Sequence, residues 1–223
     1  MLEIFRIFAE NFIIMHVAKD ISAYRQSLRG KILETVMKAF AQKGIRAVKM
    51  DDIAKSLSIS KRTLYEIYEN KELLLLEGIR KYRAMQDEEY KRMSAESANV
   101  IDLVLRIYRR KVNDFKVTCP QFYADLEKYP SVMQLLLEDR KRTNEYLIRF
   151  LQRGVEEGCF RKDVDIHLVA VTFTAVSEYV MKNQLYKDYS IEQIYHDIVF
   201  VSLRGYCTAL GNEMLERCFE DGF

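Results

Sequence analysis

The stretch 50–72, MDDIAKSLSISKRTLYEIYENKE, decides the fold. Residues 50–57 suit a short helix. Asp51 and Asp52 fall in its first turn, where the helix dipole favours negative charge, and Ile53 and Leu57 form its inner face. Ser58-Ile59-Ser60 breaks the chain, and Ser60 is placed to cap a third helix over 61–67. Leu64 and Ile67 then face inward, leaving Lys61, Arg62 and Tyr65 outward. Asn70 caps a fourth helix through Leu73, Leu75, Ile79 and Tyr82 to about residue 94. Two short helices joined by a three-residue turn and ending in a basic face form a helix-turn-helix pattern. Lys61, Arg62 and Lys71 sit in first turns, where cations oppose the dipole by some tenths of a kcal/mol each. An anion bound at those helix starts would reverse the sign. Long side chains reaching into water would explain one such lysine, but not three basic residues in one module.

Working outward, Ile32, Leu33, Val36, Met37 and Phe40 make one apolar stripe on a helix over 27–43, ended by Gly44. Residues 2–18 carry Ile4, Phe5, Phe8, Phe12, Met15 and His16 at helical spacing. That segment is either a docking arm or a stretch upstream of a true start at Met15. It also carries Glu3, Arg6 and Glu10, which a signal peptide core would lack. Downstream, helices are expected at about 98–117, 120–128, 131–157, 165–185 and 191–217, with Pro120 and Pro130 as starts and Gly158 as an end. With 2 Pro and 8 Gly in 223 residues, turns are too few for an all-β fold. The expected fold is therefore all-α. It comprises an extension of open role (1–21), a helix-turn-helix domain (22–71) and a helical body (72–223) joined directly by the fourth helix.

Net charge is +2, but residues 22–71 hold 11 basic against 5 acidic residues, a local +6 that leaves −4 elsewhere. A basic module on an acidic body suits a polyanion partner. Cys119, Cys159, Cys207 and Cys218 form no CxxC pair, and His16, His167 and His196 are scattered. No metal site, cofactor or disulfide framework is read from them, and reduced thiols in a cytoplasm are the expectation. No run reaches the roughly 18 apolar residues of a membrane helix. GxGxxG, P-loop, GxSxG and HExxH motifs are missing, so no enzyme is expected.

The segment from Arg29 to Leu74 resembles the DNA-binding domain of the tetracycline-repressor (TetR) family of bacterial transcription regulators. The resemblance rests on Ile32-Leu33, Phe40, Gly44-Ile45, Met50, Ile53-Ala54, Leu57, Ile59-Ser60, Thr63-Leu64-Tyr65, Tyr68, Asn70-Lys71-Glu72 and Leu74. It covers about a fifth of the chain. More weakly, Gly154, Gly158, Phe160, Arg161, Asp163 and Leu203-Arg204-Gly205 resemble one branch of that family. The resemblance implies that Ser60, Lys61, Arg62, Thr63 and Tyr65 lie on a recognition helix in the major groove. Lys61 and Arg62 would be base readers, since both can donate to guanine O6 and N7. Thr63 would reach a thymine methyl or a phosphate, and Tyr65 and Lys71 would hold phosphates. Tyr68 is expected in the core. Three positions depart from the pattern. Ser58 stands where the family has a left-handed Gly, so an altered turn is expected. Lys49 stands where Ser or Thr caps the second helix, and can keep a phosphate contact but not the cap. Ile67 replaces His or Tyr and removes a backbone contact.

In the body, Ile166, Val169, Phe173, Val176 and Val180 recur at three and four, as do Ile191, Ile194, Ile198, Val201 and Gly205. Periodicity alone fits either an intrachain core or an interface. The resemblance implies a four-helix homodimer interface, with Val169, Phe173, Val176, Val180, Ile194, Ile198 and Val201 as candidates and a palindromic double-stranded DNA operator as partner. It also implies an inducer pocket in the aromatic-rich middle helices, with Phe115, Phe122, Tyr123, Met133, Tyr146, Phe150 and Phe173 as candidate lining. Ordinary core is the other reading of each. The functional expectation is a repressor released by a small-molecule effector. A helical interaction or structural protein without specific DNA binding is the alternative.

Overall fold

The computed structural model describes the backbone of residues 2–220 and the side chains of residues 23–219. The expected apolar face of residues 2–18 and the role of 1–21 therefore lie outside the described side chains. Along the described backbone the chain is helical from end to end: α1 Leu2–Lys43, α2 Met50–Ser56, α3 Lys61–Ile67, α4 Lys71–Glu96, α5 Val100–Val117, α6 Pro120–Leu126, α7 Pro130–Glu156, α8 Ile166–Lys182, α9 Ile191–Ile194, a π-helical turn Tyr195–Phe200, α10 Val201–Tyr206 and α11 Ala209–Glu220. Residues 2–43 thus form one helix where two were expected; no Pro interrupts them. Pro120 and Pro130 open α6 and α7, as their fixed φ and missing donor favour. The helix expected over 191–217 is broken at Cys207. That residue is extended, with φ −71° and ψ 150°, and pairs with Phe160 in an isolated antiparallel bridge. No helix among the described residues is long and apolar enough to cross a membrane.

Two cores organise the molecule. The first gathers Ile32, Val36 and Phe40 of α1, Ile53 of α2, Leu64 of α3 and Leu74, Leu75 and Ile79 of α4. Phe122 of α6 and Val132 of α7 reach into it from the body. The second holds Ile101, Leu103, Leu151, Phe160, Val169, Phe200, Leu203 and Leu215. Side chains named for the family branch belong here: a Cβ on Gly154 would lie 2.0 Å from the Phe160 ring, so the close approach needs glycine. Arg153 ties the ends of α4 and α5. Its guanidinium donates to the Ser94 and Ser97 carbonyls at 2.8 and 3.0 Å, and its partner Glu157 accepts from Val100 N–H at 2.7 Å.

Asp125 locks the first core to the body. It is buried, and its two oxygens accept from Arg46 N–H and from Gln121 Nε2, each at 2.8 Å. Gly44 makes this approach possible. Its φ is +83°, and a Cβ there would meet Gln121 Cγ at 2.8 Å. Asp125→Ala leaves the part-buried Arg46 N–H without its acceptor and a hole where a buried carboxylate packed, which together cost about 1–3 kcal/mol. The expected outcome is an apparent Tm lower by roughly 4–8 °C in a thermal melt; an unchanged Tm would remove Asp125 from this role.

Candidate nucleic-acid interface

The turn between α2 and α3 sets the recognition helix. Ser58 has φ 54°, in the left-handed region, so the geometry is kept where an altered turn was expected. The physical reason is the helix end itself. Ser58 N–H donates to Lys55 O at 3.1 Å and Ile59 N–H to Ala54 O at 3.0 Å, the paired bonds of a Schellman stop. These hold Ser58 in a conformation that costs an L-residue about 1–2 kcal/mol. Ser58→Gly is expected to raise stability by about 0.5–1 kcal/mol after its larger unfolded-chain entropy is counted, read as a higher denaturant midpoint. A lower midpoint would mean that the Ser58 side chain contributes more than its backbone costs.

Ser60 caps α3, accepting from Thr63 N–H at 3.0 Å, and the two hydroxyls lie 2.8 Å apart. Both hydroxyls are thus engaged with each other in the free protein. Lys61 projects outward and pairs with Asp51 of α2, which raises its pKa through that hydrogen bond and the attraction of the carboxylate. Arg62 is the most solvated of the set, with a side chain 89% exposed, and its Nε lies 2.9 Å from Glu66. Tyr65 is exposed and Tyr68 buried, as read from the sequence. Tyr68 is fixed from behind by Arg29, whose guanidinium lies 4.9 Å from the ring centre and pairs with Glu77 of α4. Lys49 precedes α2 with an exposed side chain and forms no cap, matching the expectation. Lys71 differs from these. It is half-buried, donates to Ile45 O at 3.1 Å, and burial lowers its pKa. Sequence reasoning missed the acids: Asp51 and Glu66 hold the two basic side chains that would read bases, and Asp125 holds the loop beside them.

The effector candidates do not converge on one pocket. Phe115 and Tyr123 stack at 4.9 Å and, with Tyr186 and Tyr189, line a cavity of about 200 Å³ that also touches Thr118, Pro120 and Glu192. Phe122 belongs to the first core. Met133 is half-buried on α7. Phe150 packs on Phe160, Tyr146 on Tyr90 and Phe173 on Tyr206. Of the seam candidates, Val169, Val180 and Ile194 are buried within the chain's own fold, and Phe173, Val176 and Ile198 are half-buried. The outward apolar face of α8 falls instead on Leu168, Val171 and Tyr179, at 67%, 61% and 62% exposure, with Val201 exposed on α10. Those α8 positions are displaced by one or two residues from the expected ones because α8 is apolar on both sides.

Comparison with known proteins agrees with this geometry. Residues 32–77 match the family model of bacterial regulatory proteins, tetR family. The HTH-type transcriptional repressor KstR2 of Mycobacterium tuberculosis is 28% identical over 152 residues, spanning 64% of this chain and 74% of that protein. The solved structure of that organism's ketosteroid transcriptional regulator KstR2 superposes with a TM-score of 0.55 at 22% identity, covering 81% of this chain and 95% of that one. A TetR-family regulator from Marinobacter aquaeolei superposes with a TM-score of 0.70 at 21% identity, covering 86% and 97%. Residues 32–77 thus carry a tetR-family DNA-binding domain, and the helix-turn-helix geometry, the all-α architecture and these matches support a DNA-binding transcription regulator.

Proposed function

We propose that this chain is a repressor that binds a palindromic operator as a homodimer in the cytoplasm and is released by a small-molecule effector. The observation that carries the reading is α3, which offers Lys61, Arg62 and Tyr65 outward from a capped, left-handed turn. Lys61 and Arg62 exchange their exposed partners Asp51 and Glu66 for base edges, while Tyr65, Thr63, Ser60, Lys49 and Lys71 fix the register on phosphates. The α8 face at Leu168, Val171 and Tyr179 is where a second copy packs, which brings two α3 helices to sites one DNA turn apart.

The route for release runs through α6. Pro120 and Tyr123 line the aromatic cavity, while Phe122 and Asp125 reach the first core and the loop before α2. An effector that favours another setting of α6 shifts the population of DNA-competent dimers, and DNA and effector weaken each other by one factor. Fluorescence anisotropy on DNA from upstream of the chain's own gene, at several salt concentrations, tests the reading. Tight binding that survives random competitor DNA and weakens with salt supports it. Failure to prefer any genomic segment over random DNA in a pull-down would overturn it.

A further inference from the structure

The aromatic cavity of the body has a wall of rings and a mouth of paired charges. Phe115 lies in the last turn of α5, Tyr123 on α6, and Tyr186 and Tyr189 on the segment between α8 and α9. Three of these rings touch. Phe115 stacks on Tyr123 at 4.9 Å with their planes 19° apart, and Tyr186 lies 5.5 Å from Tyr123 and 6.2 Å from Phe115. They make one continuous wall, and the exposed Tyr189 lines the cavity beside it. Lys116 and Glu192 line it too. The Lys116 ammonium reaches from the end of α5 to Glu192 in the first turn of α9 at 3.3 Å. Their side chains are 63% and 42% exposed, which puts this pair at the mouth.

This arrangement suits positive charge. An aromatic ring presents a negative face, and a cation within about 6 Å of its centre is attracted to it. Among the described residues Lys116 is the only basic and Glu192 the only acidic side chain that lines the cavity. Glu192 therefore already holds an ammonium at the edge of the rings. The wall itself lies in a negative field. Burial raises the pKa of the Tyr123 and Tyr186 phenols, Tyr123 to about 12, and the carboxylates Asp114 and Glu127 add to the two shifts. Ser190 is committed to the start of α9: its hydroxyl accepts from Gln193 N–H at 3.1 Å, and its N–H donates to the Gln193 side chain at 3.1 Å. A primary ammonium brings three N–H donors that all need acceptors. An ammonium whose hydrogens are replaced by methyl groups needs none, and it lays apolar surface on the rings. The volume, about 200 Å³, is below the roughly 300–1,000 Å³ of sites for drug-sized molecules, so it fits a head group.

We propose that the effector of this regulator carries a methylated ammonium, seated against the Phe115, Tyr123 and Tyr186 rings and paired with Glu192 in exchange for Lys116. The proposal rests on the sensor reading of the body given above. A neutral molecule of the same shape gains nothing from Glu192 or from the ring faces, and an anion is repelled by both. The exchange also opens the tie between α5 and α9 beside Pro120, where α6 starts.

The test uses the full chain and three probes of similar shape: tetramethylammonium, tert-butanol and pivalate. In calorimetry at constant ionic strength, tetramethylammonium is expected to bind wild type about ten-fold or more tighter than either of the others. Tyr186→Leu and Glu192→Gln each weaken that binding roughly five-fold or more, and Tyr186→Phe keeps it. Lys116→Met strengthens it about three-fold or more, because Glu192 has lost its resident partner. Tetramethylammonium that binds wild type no better than tert-butanol overturns the assignment, and this arm needs no variant to fold. Binding to Lys116→Met that equals or falls below wild type overturns it too. The two readings fail separately. Tetramethylammonium that binds through Glu192 and the rings but leaves operator affinity unchanged keeps the cation site and removes the sensor role. Tight operator binding without charge preference among the probes removes the cation site alone.

Discussion

Replacing Lys61 and Arg62 together with alanine is expected to weaken operator binding by at least about 100-fold while helix content and unfolding temperature stay at wild-type values. The asymmetry follows from where the two side chains are. Both are exposed, and each is held only by a surface ion pair, to Asp51 and to Glu66. Such pairs contribute about 0–1 kcal/mol to folding. A base contact from a positioned Lys or Arg contributes about 1–3 kcal/mol, so losing two reaches a factor of 100 without touching the core. The variant also leaves Asp51 and Glu66 facing the DNA as uncompensated negative charges, which adds to the loss. Anisotropy on the operator and circular dichroism on the same preparation check both halves. Lys49→Ala provides the contrast: its loss is uniform across sequences and lowers the salt slope by about 1. Full operator affinity in the double variant would move sequence reading away from α3.

Introducing aspartate at Leu168 and Val171 is expected to leave a folded monomer with operator affinity down by about 1,000-fold. These two side chains, with Tyr179, form the exposed apolar stripe of α8, and neither belongs to either core. In the proposed homodimer, charges there would meet their own copies across a two-fold axis, and like charges brought together in a desolvated seam cost several kcal/mol. A monomer engages one half-site and loses the effective concentration by which the first contact assists the second. Light scattering gives the mass, and anisotropy on full and half operators gives the affinity. A dimer that persists in this variant would place the interface elsewhere. Val169→Asp is the control, since Val169 is buried in the second core and its charge should unfold the chain rather than split a dimer.

What the sequence made legible follows from local rules. Ser60 and Asn70 each cap within three residues of themselves, accepting from Thr63 and Leu73 N–H, so their roles can be read directly from the stretch 50–72. The inward and outward sides of α3 follow likewise from helical spacing. The pairs that restrain the basic face are less visible: Lys61 meets Asp51 ten positions away, and Arg46 meets Asp125 seventy-nine positions away. On α8 the rules gave two answers, because Val169-Phe173-Val176-Val180 and Leu168-Val171-Ala175-Tyr179 both recur at three and four. Only the packing of α7 against one side decides between them. The break at Cys207 carried no Pro, and Gly205 two residues before it sits inside α10, so neither breaker marked it. It exists because Thr208 N–H and Arg161 N–H bond across to Cys159 and Tyr206 carbonyls, a tertiary event.

The reach of Phe122 and Val132 into the first core has a consequence for modularity. A reading head of this kind looks portable, a cassette to be cut after α4 begins and fused to any other sensor. Here the cassette is closed partly by its host. A transplant ending at residue 79 would carry Phe40, Leu64 and Leu75 but leave their lid behind, together with the carboxylate that holds Arg46 N–H. Exchange of specificities between such regulators would then succeed only between bodies whose α6 offers an equivalent of Phe122 and Asp125.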